Sequence, residues 1–208
     1  LLMRSNAPDP HGRTGQRTFL HTVNFSAAQF DEVINPFYGA PQSLYSDHFQ
    51  WDDGISGRMS YKLEVPPLQP ALTATLLGRF GIDNALRMEQ LPHTNVMLAL
   101  MRDGFHPDSA VGKVELRSDG SPVLDYQMTD YTWDGIRRAY LTMAEIQFAA
   151  GAKAVMPLHA DAKRMVGKFD SLDDTVGGAR VDDDPRWHAA CRLMMGAVDR
   201  QAVRARDT

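Results

Sequence analysis

The chain has 208 residues, a formal net charge of −4, 43% hydrophobic and 23% charged residues, a composition that excludes low-complexity disorder and collagen-like repeats. No apolar run approaches the roughly 18 residues a membrane crossing needs. With 22 basic against 26 acidic residues and no basic stripe, the phosphate attraction that underlies nucleic-acid binding has no evident source. The length exceeds the ~150-residue prior for one domain, so it accommodates one sizeable core with elaborations or two small domains.

The single cysteine, Cys191, excludes an internal disulfide framework and a cysteine-based zinc site and fits a reducing compartment. Together with the lack of a visible leader peptide, this gives a cytoplasmic expectation. The opening, Leu1-Leu2-Met3-Arg4-Ser5, has no initiator Met, and the expectation is that something precedes it. Eleven methionines are high usage for this length and read first as filling of irregular core space.

Residues 1–20 start apolar and then become breaker-dense through Asn6, Pro8, Asp9, Pro10, Gly12 and Gly15, which predicts the exit of an element and a long loop. Short extended pieces follow at Val23 to Phe25, Leu44 to Phe49 and Arg58 to Val65. In the last of these, Met59, Tyr61, Leu63 and Val65 share one face by strict alternation. Pro66, Pro67 and Pro70 stop the ladder, and Ala71 to Gly78 predicts a short helix.

Asn95 to Met101 is apolar on both faces, the pattern of a central strand covered on each side, with a buried short helix as the alternative. Val111 to Arg117 and Val123 to Met128 flank Ser118-Asp119-Gly120-Ser121 and predict a β-hairpin. From Thr129 or Asp130, either of which can cap, Trp133, Ile136, Tyr140, Met143, Ala144 and Phe148 recur at three and four. This predicts a long amphipathic helix ending at Gly151, which is free to take the left-handed conformation. Ala152 to Leu158 predicts another short strand.

Residues 166–187 carry Gly167, Gly177 and Gly178 among Asp170, Asp173, Asp174, Asp182, Asp183 and Asp184. The spacing matches no calcium loop, so these acids read as a solvated loop. The sum is an α+β fold, a mostly antiparallel β-sheet with a long helix packed on it.

The seven histidines, His11, His21, His48, His93, His106, His159 and His188, include no His-x-x-x-His pair, so no metal site is expected. There is no Gly-x-Ser-x-Gly elbow and no Gly-rich phosphate loop. His188 stands apart because of its setting, Asp184-Pro185-Arg186-Trp187-His188-Ala189-Ala190-Cys191-Arg192-Leu193-Met194-Met195-Gly196.

That segment resembles the stretch of the glucose-methanol-choline (GMC) flavin oxidoreductases that carries their first catalytic histidine and closes on Met-Gly. Other segments are similar in the same order. Leu1 to Ser5 resembles the end of the family's second signature, with Asn6 where the family usually has Gly. Thr18 to His21, Tyr38 to Ser43 and Tyr45 to Phe49 resemble the entry into the substrate domain of bacterial members. Gly112-Lys113-Val114, Asp119 to Pro122, Tyr126, Asp130-Tyr131 and Phe148 to Ala152 resemble its hairpin and long helix.

The resemblance spans almost the whole chain. It implies three parts: residues 1–20 as the end of an FAD-binding segment, 21–165 as a substrate-binding domain, and 166–208 as a return segment carrying the catalytic His. The implied activity is FAD-dependent oxidation of the CH–OH group of a small-molecule alcohol to a carbonyl. His188 is then the general acid/base and Trp187 the candidate cofactor contact. The FAD would be bound mainly by an N-terminal domain, because the Gly-x-Gly-x-x-Gly fingerprint is not in this sequence; the second catalytic residue is expected beyond Thr208.

Met97, Met101 and Tyr126 are candidates to line a pocket for an apolar, sterol-like alcohol, a placement for which core packing accounts equally well. The competing expectation is a stand-alone α+β ligand-binding or interaction module without flavin, in which His188 is structural.

Overall fold

The computed structural model describes residues 1–77, 80–109 and 112–157. It opens with a 3-10 turn at Leu2–Ser5 that closes on Asn6 at φ +47°, a left-handed position that Asn tolerates better than most residues. The elements that follow are β1 (Val23–Gln29), β2 (Tyr45–Ser46), β3 (Tyr61–Glu64), α1 (Pro70–Leu76), α2 (Gly81–Glu89), β4 (Thr94–Met101), β5 (Lys113–Leu116), β6 (Pro122–Asp125), α3 (Asp130–Ala149) and β7 (Ala154–Pro157). The fold is α+β: five strands form one sheet in the order β2-β3-β4-β1-β7, and β5-β6 form a separate two-stranded sheet. Among the described residues every strand pairing is antiparallel.

The strand expected to be central is central. β4 lies in the middle of the five, and Val96, Met97, Leu98 and Ala99 are all buried, as a strand covered on both faces requires. Register assigns the two faces. Met97, Ala99 and Met101 stand opposite Ser26, Asn24 and Tyr61, and all point toward α3. Val96, Leu98 and Leu100 stand opposite Ala27, Phe25 and both Val23 and Lys62 and point the other way.

On the first face α3 lays Trp133, Ile136, Ala139, Tyr140 and Met143 against Met59, Tyr61, Leu63, Met97, Ala99 and Met101. This is the main core, and Met97 and Met101 belong to it. Gly135 is needed there, because a Cβ on it would lie 2.6 Å from the Met59 Cβ. Thr129 caps the helix through its side chain, accepting from the Thr132 N–H and so satisfying one of the free amides of the first turn. At the far end Gly151 takes φ +96°, the left-handed stop its position predicted.

One buried polar group ties this helix to the sheet. Ser26 Oγ donates to Gln147 Oε1 at 2.7 Å, and Gln147 Nε2 donates back to the Ser26 carbonyl at 3.0 Å. Exchange of two bonds lets both side chains stay at 1–2% exposure without an unmet donor or acceptor at these atoms.

The opposite face is partly covered by α2 and by Leu68 and Leu91, which lie outside α1 and α2. Leu68, Leu91 and Met88 pack there on Ala27, Val96, Phe25 and Met156. α2, where Leu86 follows Ile82 by four positions, is an element that the sequence pattern does not predict. α1 starts at Pro70, one residue before the Ala71 the sequence predicts, and its last helical residue is Leu76. β2 is also shorter than the Leu44–Phe49 piece expected, because His48–Gln50 turns into a 3-10 helix. The hairpin β5-β6 forms at the expected place and is stitched to the body by the bridge between Thr18 and Gly112 and by the Val114 N–H donating to the Gly15 carbonyl at 2.7 Å.

Candidate functional site

His188, Trp187, Cys191 and His159 lie outside the described residues, as does the acidic stretch from Asp170 to Asp184. Among the described residues, charged and polar side chains gather on the face opposite α3. Alternation along β3 puts Lys62 and Glu64 on that face, where Lys62 stands across from Leu100 and Glu64 from Leu98.

Glu64 is buried to 9% exposure, and two partners hold it. Lys62 Nζ lies 3.0 Å from Oε1, and Gln42 Nε2 donates to Oε2 at 2.9 Å. The Lys62 ammonium also sits 4.3 Å from the centre of the Tyr45 ring, a cation–π contact. A carboxylate desolvated this far is tolerated because an ammonium and an amide meet it. The result is a compact polar patch at the β2-β3 end, beside the apolar strip of Phe25, Leu98 and Leu100.

The same face continues past the end of β4. The Arg102 N–H donates to the Ser60 carbonyl at 2.8 Å, extending the β3-β4 ladder by one step. The Arg102 guanidinium lies 4.1 Å from the centre of the Trp51 ring and 5.5 Å from that of Phe105. Its Nη2 donates to the Gly54 carbonyl at 2.5 Å and reaches Ser60 Oγ at 3.4 Å.

Next in sequence, Asp103 turns away to a different set of partners. Its Oδ1 accepts from the Gly104 N–H at 2.7 Å and its Oδ2 accepts a short hydrogen bond from the Tyr126 hydroxyl. Burial, then that bond and the Asp103 charge, push the Tyr126 phenol well above its ordinary range; ionising it would place two negative charges side by side. Tyr126 therefore serves as a donor that locks the hairpin to the end of β4, not as part of an apolar pocket wall. Nearby, His106 stacks on Tyr131 with ring centres 4.4 Å apart and accepts the Asp108 N–H at Nδ1, 3.1 Å away.

A cavity of about 390 Å³ opens between α2 and the β1-β7 edge, lined by Ala27, Leu86 and Met156 with Asp83, Arg87 and Gln90 at its polar side. Its size lies within the range of small-molecule sites, ~300–1,000 Å³. Among the described residues, no group of three or more His, Cys, Asp or Glu converges, and no helix is long and apolar enough to cross a membrane. No protein-family model matches the chain, and no curated protein matches it.

Proposed function

We propose that the chain is the substrate-domain part of an FAD-dependent oxidoreductase of the GMC type, oxidising the CH–OH group of a small-molecule alcohol to a carbonyl. The observation that carries this reading is the ordered series of family-like segments from Leu1 to Gly196. The antiparallel sheet, with a long helix on one face and a polar, partly open opposite face, supports it.

The described residues contain no Gly-rich strand-to-helix turn able to cradle a pyrophosphate: β3 leads to α1 through Val65-Pro66-Pro67-Leu68-Gln69, and β6 to α3 through Tyr126-Gln127-Met128-Thr129. On this reading a preceding domain holds most of the FAD, which when bound supplies the acceptor for hydride. The chain's own contribution is His188. Loss of hydride builds positive character at carbon, so an imidazole that takes up the hydroxyl proton lowers the barrier, and its unperturbed pKa lies near neutral pH. Trp187 is proposed to wall the flavin side of the pocket.

The coding sequence upstream of Leu1 tests this directly. A strand followed by Gly-x-Gly-x-x-Gly, in frame, is the expected finding; an in-frame start codon a few residues upstream with no such motif would overturn it. The cavity beside α2 favours a second reading, a flavin-free ligand-binding module. Native mass spectrometry of the purified chain distinguishes it: a retained small molecule with no flavin supports the module.

A further inference from the structure

The cavity of about 390 Å³ lies on the sheet face turned away from α3, and strand register lays out its floor. Ala27 pairs with Met156 in one row, and Thr94, Gln29 and Ala154 form the next. Leu86 and Arg87 of α2 line it from the other side, with Leu77, which follows α1. One end is polar and internally satisfied: Gln29 Nε2 donates to Gln90 Oε1 at 2.9 Å, and Thr94 Oγ1 donates to the Gln90 carbonyl at 2.8 Å. Ala27, Leu77, Leu86 and Met156 give the remainder an aliphatic and thioether lining, which favours an apolar body over water.

Two charged side chains join that lining, Asp83 and Arg87. They lie one turn apart on α2, yet the partner of Arg87 is Met156 Sδ, which Nη1 approaches at 3.7 Å. A thioether is a weak acceptor, so this contact holds the guanidinium between α2 and β7 without neutralising it. Nε–H and Nη2–H lie side by side on one edge of the guanidinium and meet no acceptor among the described residues, and neither is a sealed-off donor. Such a parallel pair is the fork that a carboxylate takes with two bonds. Asp83 is exposed, where water and salt screen its charge.

We propose that this cavity binds a small aliphatic carboxylate. The carboxylate accepts from Nε–H and Nη2–H of Arg87 while Nη1 stays on Met156, and the alkyl body lies along Ala27, Leu77 and Leu86. The site is built from the sheet and α2 and holds with or without a flavin domain, so its failure and that of the flavin reading are separate results.

NMR of the full 208-residue chain, labelled at its methionine methyl groups and titrated with sodium octanoate, tests the site. Octanol supplies the alkyl chain without the charge, and sodium acetate the charge without the chain. The Met156 methyl signal, assigned by its loss in Met156→Leu, is expected to shift saturably with octanoate and not with acetate over the same range. Arg87→Gln is expected to weaken octanoate binding about tenfold and to leave octanol binding as it is, whereas Asp83→Asn, which removes the like charge, should tighten octanoate. A Met156 signal that octanoate leaves in place, or an octanoate affinity that Arg87→Gln leaves unchanged or Asp83→Asn lowers, would overturn the site. Should Arg87→Gln fail to fold, the wild-type comparison decides alone: octanol bound as tightly as octanoate overturns the role given to Arg87.

Discussion

The two faces of the five-stranded sheet are built from the same strands and do opposite things. The face under α3 is a close-packed core in which Met59, Ala99, Met101, Ala139 and Met143 have no solvent exposure and Trp133 has 1%. Across the sheet, the same strands present Lys62 and Glu64 from β3, with Arg102 just beyond β4, beside an apolar strip that Leu68, Met88 and Leu91 cover only in part. Alternation makes this possible, since each side chain along a strand points away from its neighbour's side. The first face is a closed core, and the second carries charge.

Removing His188 probes the proposed chemistry and carries the largest expected effect. In the protein extended through its upstream region, His188→Ala should lower alcohol turnover by about 10²–10⁴, the usual range for a general acid/base, with flavin content unchanged. Steady-state kinetics beside a flavin absorbance ratio measures both, and full turnover in the variant would reject the catalytic role.

The covered face should be the sensitive one for stability. Trp133→Ala is expected to cost about 3–5 kcal/mol, as for other fully buried aromatic truncations, read from denaturant midpoints. Phe25→Ala, on the opposite face and only partly buried, should cost clearly less. Equal losses would mean that the two faces share one core.

Alkaline pH separates the faces in another way. Burial pushes the Tyr140 phenol, under α3, up to about 12, and burial together with Asp103 raises that of Tyr126. An unfolded tyrosine ionises near pH 10, so above that pH the unfolded state loses protons that the folded state keeps. Stability should therefore be level below about pH 10 and fall as pH rises toward the folded values. Tyr126→Phe should flatten part of that slope; an unchanged slope would show that the Asp103 contact does not hold in solution.

Smaller effects belong to the polar patch. Lys62→Met leaves the Glu64 carboxylate with only Gln42 and should cost about 1–3 kcal/mol, the penalty of an unmatched buried acceptor. Replacing both, Lys62→Met with Glu64→Leu, should restore most of the loss, because a buried pair is often no better than an apolar one.

Much of the fold is legible in the sequence because it rests on strong local signals. The alternation of Met59, Tyr61 and Leu63, the doubly apolar run at Asn95 to Met101, the Asp119-Gly120 turn and the three-and-four spacing from Trp133 to Ala144 each specify one element and its buried side. α2 escaped because its Ile82 and Leu86 are exposed, at 77% and 54%, so no buried stripe marks it, and Gly81 at its start looks like a breaker. The polar patch escaped for a different reason. Gln42, Glu64 and Tyr45 meet only through the β2-β3 pairing, and Arg102 meets Trp51 across 51 positions of loop and strand that no local pattern links. His188 stood out through its sequence neighbours alone, which is why it carries a role by resemblance and not by geometry.

The visible absorption spectrum of the protein expressed with its upstream coding region, recorded anaerobically before and after addition of an alcohol, tests the central claim most directly. The account predicts a flavin band that the wild type loses on addition of alcohol and that His188→Ala retains. A protein that carries no flavin band, or whose band bleaches as fast without His188 as with it, would contradict the account.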